Sequence, residues 1–207
     1  MKLLWCFAEF ASSICGSLCI LEAFDLDPLE TVYVGQDLNA GFSKAVAFIK
    51  RESKLYIVRC FSFKSISDAP YLLRKEFPTN PIEYYPDASS SELMSAYRRE
   101  LLQNDIQIRS GETNPSILER VFITNKLFKT NRLFIFKIKS NYEIQMALKV
   151  RQYDELGKPE KGRGEHAVDH IMDGADYASY RIVSRDPAFR ELRELANSVR
   201  TGEKKGN

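Results

Sequence analysis

The chain has 207 residues, 44% of them hydrophobic and 28% charged, with a net charge of +2. That is room for one domain with a real core, and it excludes a disordered polyelectrolyte. Bulk charge this close to neutral also means that any attraction to nucleic acid must come from local basic clusters. The four cysteines (Cys6, Cys15, Cys19, Cys60) lack the paired spacing of a zinc site, and a reducing cytoplasm is expected.

Met1 to Ala8 opens on a basic residue and an apolar run, as a signal peptide would, but Glu9 interrupts it and no small-x-small cleavage site follows. No stretch reaches the roughly 18 uncharged apolar residues of a spanning helix, so no membrane partner is expected. Residues 1–29 read as an amphipathic segment that packs on a neighbour.

Three apolar runs bounded by turn residues, Thr31–Asp37, Phe42–Lys50 and Lys54–Phe63, predict an antiparallel meander. Ser67-Asp68-Ala69-Pro70 then opens a helix that stops at Pro78. Ile82 to Asp87 is a short strand ending in a carboxylate. Ser89 to Glu92 has capping-box spacing and starts a second helix, with Leu93, Tyr97 and Leu101 on one face. Ile106–Arg109 reads as extended, Asn114-Pro115 as the start of a helix through Phe128, and Leu133–Ile138 as extended again.

Ser140 to Glu143 has a second capping-box spacing. Asp154 to Gly164 is a loop or exposed hairpin, and His166 to Val183 a helix packing on Val168, Ile171, Met172, Ala175 and Ile182. Asp186-Pro187 begins a last amphipathic helix before a short tail. Residues 30–185 thus predict an α/β domain, a mixed sheet with an antiparallel three-stranded meander and flanking helices, followed by a helix and disordered tail over 186–207.

The chemistry points to acids. Asp37 and Asp87 each end a predicted strand, where ligands of such sheets gather. Asp37 alone also fits a turn cap on the Asn39–Gly41 backbone. Asp169, Asp173 and Asp176, spaced by four and three, share a helix face opposite the apolar stripe. By itself that face is a solvated one. Gathered in one pocket, however, three carboxylates would repel each other unless cations neutralised them. Oxygen ligands without a Cys/His cluster suit Mg²⁺ or Mn²⁺, and two such ions about 4 Å apart hydrolyse phosphodiesters. Nothing matches a G-x-x-x-x-G-K-[ST] phosphate loop, which argues against an ATP-driven motor.

Three stretches resemble the C-terminal nuclease domain of the large terminase subunit of tailed phages. They are Val34 to Gly41 around the first-strand acid, Tyr84 to Ala88 around the second, and Glu165 to Ala178 on the late helix. Tyr153 to Pro159 and Phe7 to Phe10 are also similar to that family, so the likeness covers roughly Phe7 to Val183. It implies an RNase H-like fold and an endonuclease that cuts concatemeric double-stranded DNA with little sequence preference. It also implies that Asp37, Asp87 and Asp173 hold two Mg²⁺ or Mn²⁺ ions, Asp37 bridging them, with Asp169 as a substitute or outer partner. A water on one ion would attack phosphorus in line, and the other would stabilise the departing 3′ oxygen.

Other implications concern partners and departures from the family. Gly174 and Asp176 stand where Ala and Arg are usual, weakening the helix and removing a basic residue from beside the metals. Residues 1–29 would correspond to the ATPase–nuclease linker, and the chain would be a fragment, split gene or prophage remnant acting in the bacterial host cytoplasm. Its partners would be DNA, with the portal protein, the small terminase subunit and a separate ATPase chain as further candidates. Lys158, Lys161 and Arg163, interleaved with glycines, form a cationic loop suited to a phosphate backbone, or an ordinary solvated loop. Two other readings stay open: a junction resolvase or integrase core, and a degenerate module that only docks.

Overall fold

The computed structural model describes residues 19–38, 43–65, 67–87, 91–109, 115–151 and 169–203. Outside them lie the N-terminal apolar run, the Asn39–Gly41 break, Ser89 and Ser90, the loop with Lys158, Lys161 and Arg163, and His166 to Val168. Among the described residues one sheet of seven strands organises the chain.

Its centre is β3 (Ser43–Arg51), buried on both faces from Ser43 to Ile49, which is why its sequence runs apolar without strict alternation. β3 pairs antiparallel with β2 (Val32–Asp37) and β4 (Lys54–Phe63), the expected meander. Beyond β2 lie β5 (Ile82–Pro86) and β6 (Ile106–Ile108), both added in parallel. Beyond β4 lie β7 (Leu133–Phe136) and β1 (Ile20–Leu21), also parallel, so the sheet takes in residues upstream of position 30.

Side chains alternate across the sheet, and each face has its own core. α1 (Asp68–Glu76) and α2 (Ser91–Gln103) cover one, where Leu73, Tyr97 and Leu101 meet Val34, Ile49 and Tyr84. The other is covered by α3 (Ile117–Lys129), α4 (Tyr142–Val150), α5 (Asp169–Arg185) and α6 (Arg190–Glu203). There Ile123, Leu127, Ile144, Met172 and Leu192 meet Val46, Phe48 and Ile57.

Two helix starts differ from the sequence expectation. α3 opens after Ser116, not at Asn114-Pro115: the Ser116 hydroxyl accepts from Glu119 N–H at 3.2 Å, and Glu119 Oε2 accepts from Ser116 N–H at 3.1 Å. The capping box expected at Ser140–Glu143 does not form. A 3₁₀ turn, Lys139–Asn141, stands there instead, and the Asn141 amide donates to the carbonyls of Ile57 (3.2 Å) and Phe136 (3.1 Å). Buried strand carbonyls without partners are costlier than an uncapped helix start, so the amide goes to them.

α5 lies across β2 with no side chain between the backbones. A Cβ on Gly35 would fall 2.0 Å from Gly174 O and 2.7 Å from Ala178 Cβ, and one on Gly174 would fall 3.1 Å from Gly35 O. Gly174 therefore does more than weaken a helix: with Gly35 it sets how deeply α5 seats. Replacing Gly35 by alanine is expected to cost about 3 kcal/mol of unfolding free energy, because the obstacle is backbone and cannot rotate away. Urea denaturation would measure it, and an unchanged midpoint would refute the contact.

Candidate active site

The C-terminal ends of β2 and β5 put Asp37 and Asp87 side by side. Gln36 pairs with Pro86 in a parallel register, and Asp87 N–H donates to Gln36 O at 2.9 Å, so the acids occupy the next rung, about 5 Å apart along the hydrogen-bonding direction. Both are buried, at 8% exposure. By alternation they share a face with Gly35 and Tyr85, the face against which α5 packs.

A buried polar chain fixes the end of β2. Tyr84 OH donates to Gln36 Oε1, Gln36 Nε2 donates to Ser43 Oγ at 2.6 Å, and Ser43 Oγ donates to Asp37 O at 2.6 Å. It pins the backbone that presents the carboxylate, because a buried network with every member paired admits few alternatives.

α5 brings the remaining groups. His170 Nδ1 lies 2.7 Å from Asp37 Oδ2, and Asp173, one turn on, faces the same way. Burial chiefly, helped by the charges of Asp176 and Asp37 and opposed by the Arg120 and Arg151 guanidiniums, raises the Asp173 carboxyl to about 6. Burial raises the Tyr177 phenol, the Arg120 guanidinium opposes that, and the charges of Asp87, Asp173 and Asp37 add to the rise. Asp173 thus lies within electrostatic reach of Asp37, and Tyr177 within reach of all three expected acids. Asp169 opens α5, buried, with Oδ1 lacking a hydrogen-bond partner among the described residues.

The acidic face of α5 is not solvated. Asp169 and Asp176 are buried, Asp176 completely, because α3 and α4 pack where water was expected. α3 and the residue that caps the end of α4 each supply a counter-charge. Arg120 Nη2 reaches Asp173 Oδ1 at 3.2 Å with its guanidinium 4.2 Å over the Tyr177 ring, and Arg151 Nη2 donates to Asp176 Oδ2 at 2.7 Å. The charge of the acidic face is thus met by Arg120 on α3 and by Arg151 just past the end of α4.

As the side chains stand, no three His, Cys, Asp or Glu groups among the described residues are gathered to hold a metal ion. The donor chemistry nonetheless fits a hard cation: the expected ligands are carboxylates, burial and neighbouring acids raise one of them, and a buried oxygen on Asp169 has no hydrogen-bond donor among the described residues. His170 and Arg120 hold the places that such a cation would compete for. Neither was singled out as a site residue from the sequence. His170, three residues before Asp173 on one helix face, carried a readable signal; Arg120, on another helix, carried none.

No protein-family model matches the sequence, and no curated protein matches it. Solved structures do match in three dimensions. The P22 large terminase nuclease domain superposes with a TM-score of 0.65 over 88% of this chain and 96% of its own, at 13% identity. The large terminase nuclease of thermophilic phage G20c, solved with bound magnesium, gives 0.56 over 82% and 95%, at 14% identity. The chain has the fold of the phage large-terminase nuclease domain. That terminase-nuclease fold is RNase H-like, with β4-β3-β2-β5-β6 as the part that carries the acids. Against the large terminase of another thermophilic bacteriophage the TM-score is 0.63 at 12% identity, over 84% of this chain but only 45% of that one. Among the described residues no helix is long and apolar enough to cross a membrane.

Proposed function

We propose that this chain is a divalent-metal-dependent DNA endonuclease, the nuclease module of a DNA-packaging terminase that cuts concatemeric duplex DNA with little sequence preference. The observation that carries the reading is the pairing of Asp37 and Asp87 on adjacent parallel strand ends, with Asp173 facing them from α5. Support also comes from the fold, shared with nucleases solved with magnesium or cobalt bound.

In this reading Asp37, Asp87 and Asp173 hold the Mg²⁺ or Mn²⁺ ions, two of them, with Asp169 as an outer partner. A divalent cation there supplies Lewis-acid chemistry, making water a nucleophile near neutral pH and stabilising charge on phosphodiester oxygens. The chain's own groups do the positioning. His170 Nδ1 orients the Asp37 carboxylate, and the Tyr84–Gln36–Ser43 chain holds its backbone. Lys158, Lys161 and Arg163 grip the DNA backbone. The partners are double-stranded DNA, a separate ATPase chain, the portal protein and the small terminase subunit, in the cytoplasm of a bacterial host.

The Arg120–Asp173 pair favours one other reading, a catalytically silent module that still docks on the packaging machinery. One gel separates the two. Supercoiled plasmid incubated with the purified chain is expected to become nicked and then linear in Mn²⁺ or Mg²⁺, and to stay supercoiled in EDTA. Intact plasmid in both metals, with folded protein, would leave only the docking module.

A further inference from the structure

The row of side chains that holds Asp87 and Asp37 continues past them. Across β2 the register sets Lys44 of β3 directly opposite Asp37, and across β3 it sets Ser62 of β4 opposite Lys44. Residues directly opposite in antiparallel strands share a face, so this end of the sheet reads acid, acid, cation, hydroxyl from β5 to β4. α5 lies over the same row. A Cβ on Gly174, next to Asp173, would fall 3.5 Å from Lys44 O.

The Lys44 side chain is only 11% exposed, and an ammonium so nearly buried needs an anion beside it. It finds one by leaning toward β4. Nζ donates to Ser62 Oγ at 2.8 Å and lies 3.1 and 3.2 Å from the two carboxylate oxygens of Glu143. Glu143 is a loose anchor. Its side chain is 36% exposed, and it stands in the first turn of α4, where the helix dipole favours a negative charge with or without a lysine. A lysine stem spans about 6 Å, more than the roughly 4.8 Å between strands, so the ammonium can reach the Asp37 side of β3 as well as the Ser62 side. A phosphate on that side would offer it a charge-assisted bond in exchange for the one to Glu143.

We propose that Lys44 is a substrate-contacting residue, leaving Glu143 to donate to a phosphate of the DNA strand held beside Asp37, Asp87 and Asp173. Glu143 then acts as its resting partner, and competes with DNA for the same ammonium. That the phosphate lies beside the acids rests on the nuclease reading. The exchange itself does not, and it is measured without cutting.

The test is fluorescence anisotropy of a short fluorescein-labelled DNA duplex with the whole chain in EDTA, over a range of salt. Lys44→Met, which keeps the apolar stem, is expected to weaken binding about fivefold at low salt and to flatten the slope of log K against log salt by about 0.9, one phosphate contact. Glu143→Gln is expected to act in the opposite direction, tightening binding about threefold, because it frees the ammonium. Both variants lose the same ion pair and should melt at similar temperatures, so opposite shifts in DNA binding cannot come from a weakened fold. Glu76→Gln removes a carboxylate paired with Arg59 elsewhere and is expected to change binding little. Should Lys44→Met unfold, the sign of the Glu143→Gln effect decides: tightening supports the exchange and weakening overturns it.

Similar losses from Lys44→Met and Glu143→Gln would make the pair a brace between α4 and the sheet and overturn the proposal. So would a Lys44→Met that binds like the parent, or a Glu76→Gln that tightens as much as Glu143→Gln. Plasmid nicking in Mn²⁺ separates this proposal from the nuclease reading. If the binding shifts take opposite signs while the parent never nicks, the Lys44 contact stands and the nuclease reading falls. If the parent nicks while Lys44→Met binds and nicks at the parental rate, only the Lys44 contact falls.

Discussion

Asp37→Asn is expected to slow plasmid nicking in Mn²⁺ by about 100-fold or more while leaving the protein folded. The loss reflects the several kcal/mol of charge stabilisation that a correctly held cation supplies, at a tenfold in rate per 1.36 kcal/mol. Stability in EDTA should move the other way or not at all. The Asp37 charge is one of those that push the Asp173 carboxyl up, so a neutral amide relieves that repulsion. Added Mn²⁺ should raise the melting temperature of the parent, because a ligand that binds only the native state stabilises it by mass action. The variant should respond far less. Nicking at the parental rate would remove Asp37 from the chemistry.

Arg151→Met is expected to lower the unfolding free energy by about 3–5 kcal/mol. Its partner Asp176 is fully buried, so losing the guanidinium leaves a carboxylate in the core with its ion-pair partner gone. The double variant Arg151→Met/Asp176→Leu should recover most of the loss, since well-packed apolar groups often replace a buried pair at little cost. Urea titrations of the single and double variants form a cycle that measures the coupling. Similar stability of single and double variants would show that the pair is not the source. The contrast with Asp37→Asn is informative: one change acts on catalysis with the fold intact, the other on the fold.

Much of the sheet was legible because burial writes it into the sequence. β3 had to be apolar on both faces, and the three apolar runs separated by turn residues announced the meander of β2, β3 and β4. Asp37 and Asp87 were legible for the opposite reason, as carboxylates that close apolar strands invite an explanation. Pairings across the tertiary fold were not. Helical spacing puts Asp176 on a face, but only the packing of α4 decides that Arg151 meets it there.

Local rules also competed with distant ones. Ser140 to Glu143 spells a capping box, yet Asn141 serves two strand carbonyls and Glu143 turns to Lys44 at 3.1 Å. Gly174 looked like a flaw in a helix because nothing in its own neighbourhood reveals the Gly35 backbone pressed against it. Spacing within one element is readable from sequence; the identity of what lies across from it is not.

The guanidinium groups of Arg120 and Arg151 pair with two α5 carboxylates, Asp173 and Asp176. Those carboxylates therefore find their counter-charges within the chain itself, unlike the ligands of domains whose core is built around a metal. In the nuclease reading, Asp173 would have to be shared between Arg120 and a divalent ion. The affinity of the chain for divalent ions would then be tuned by an arginine that never touches them.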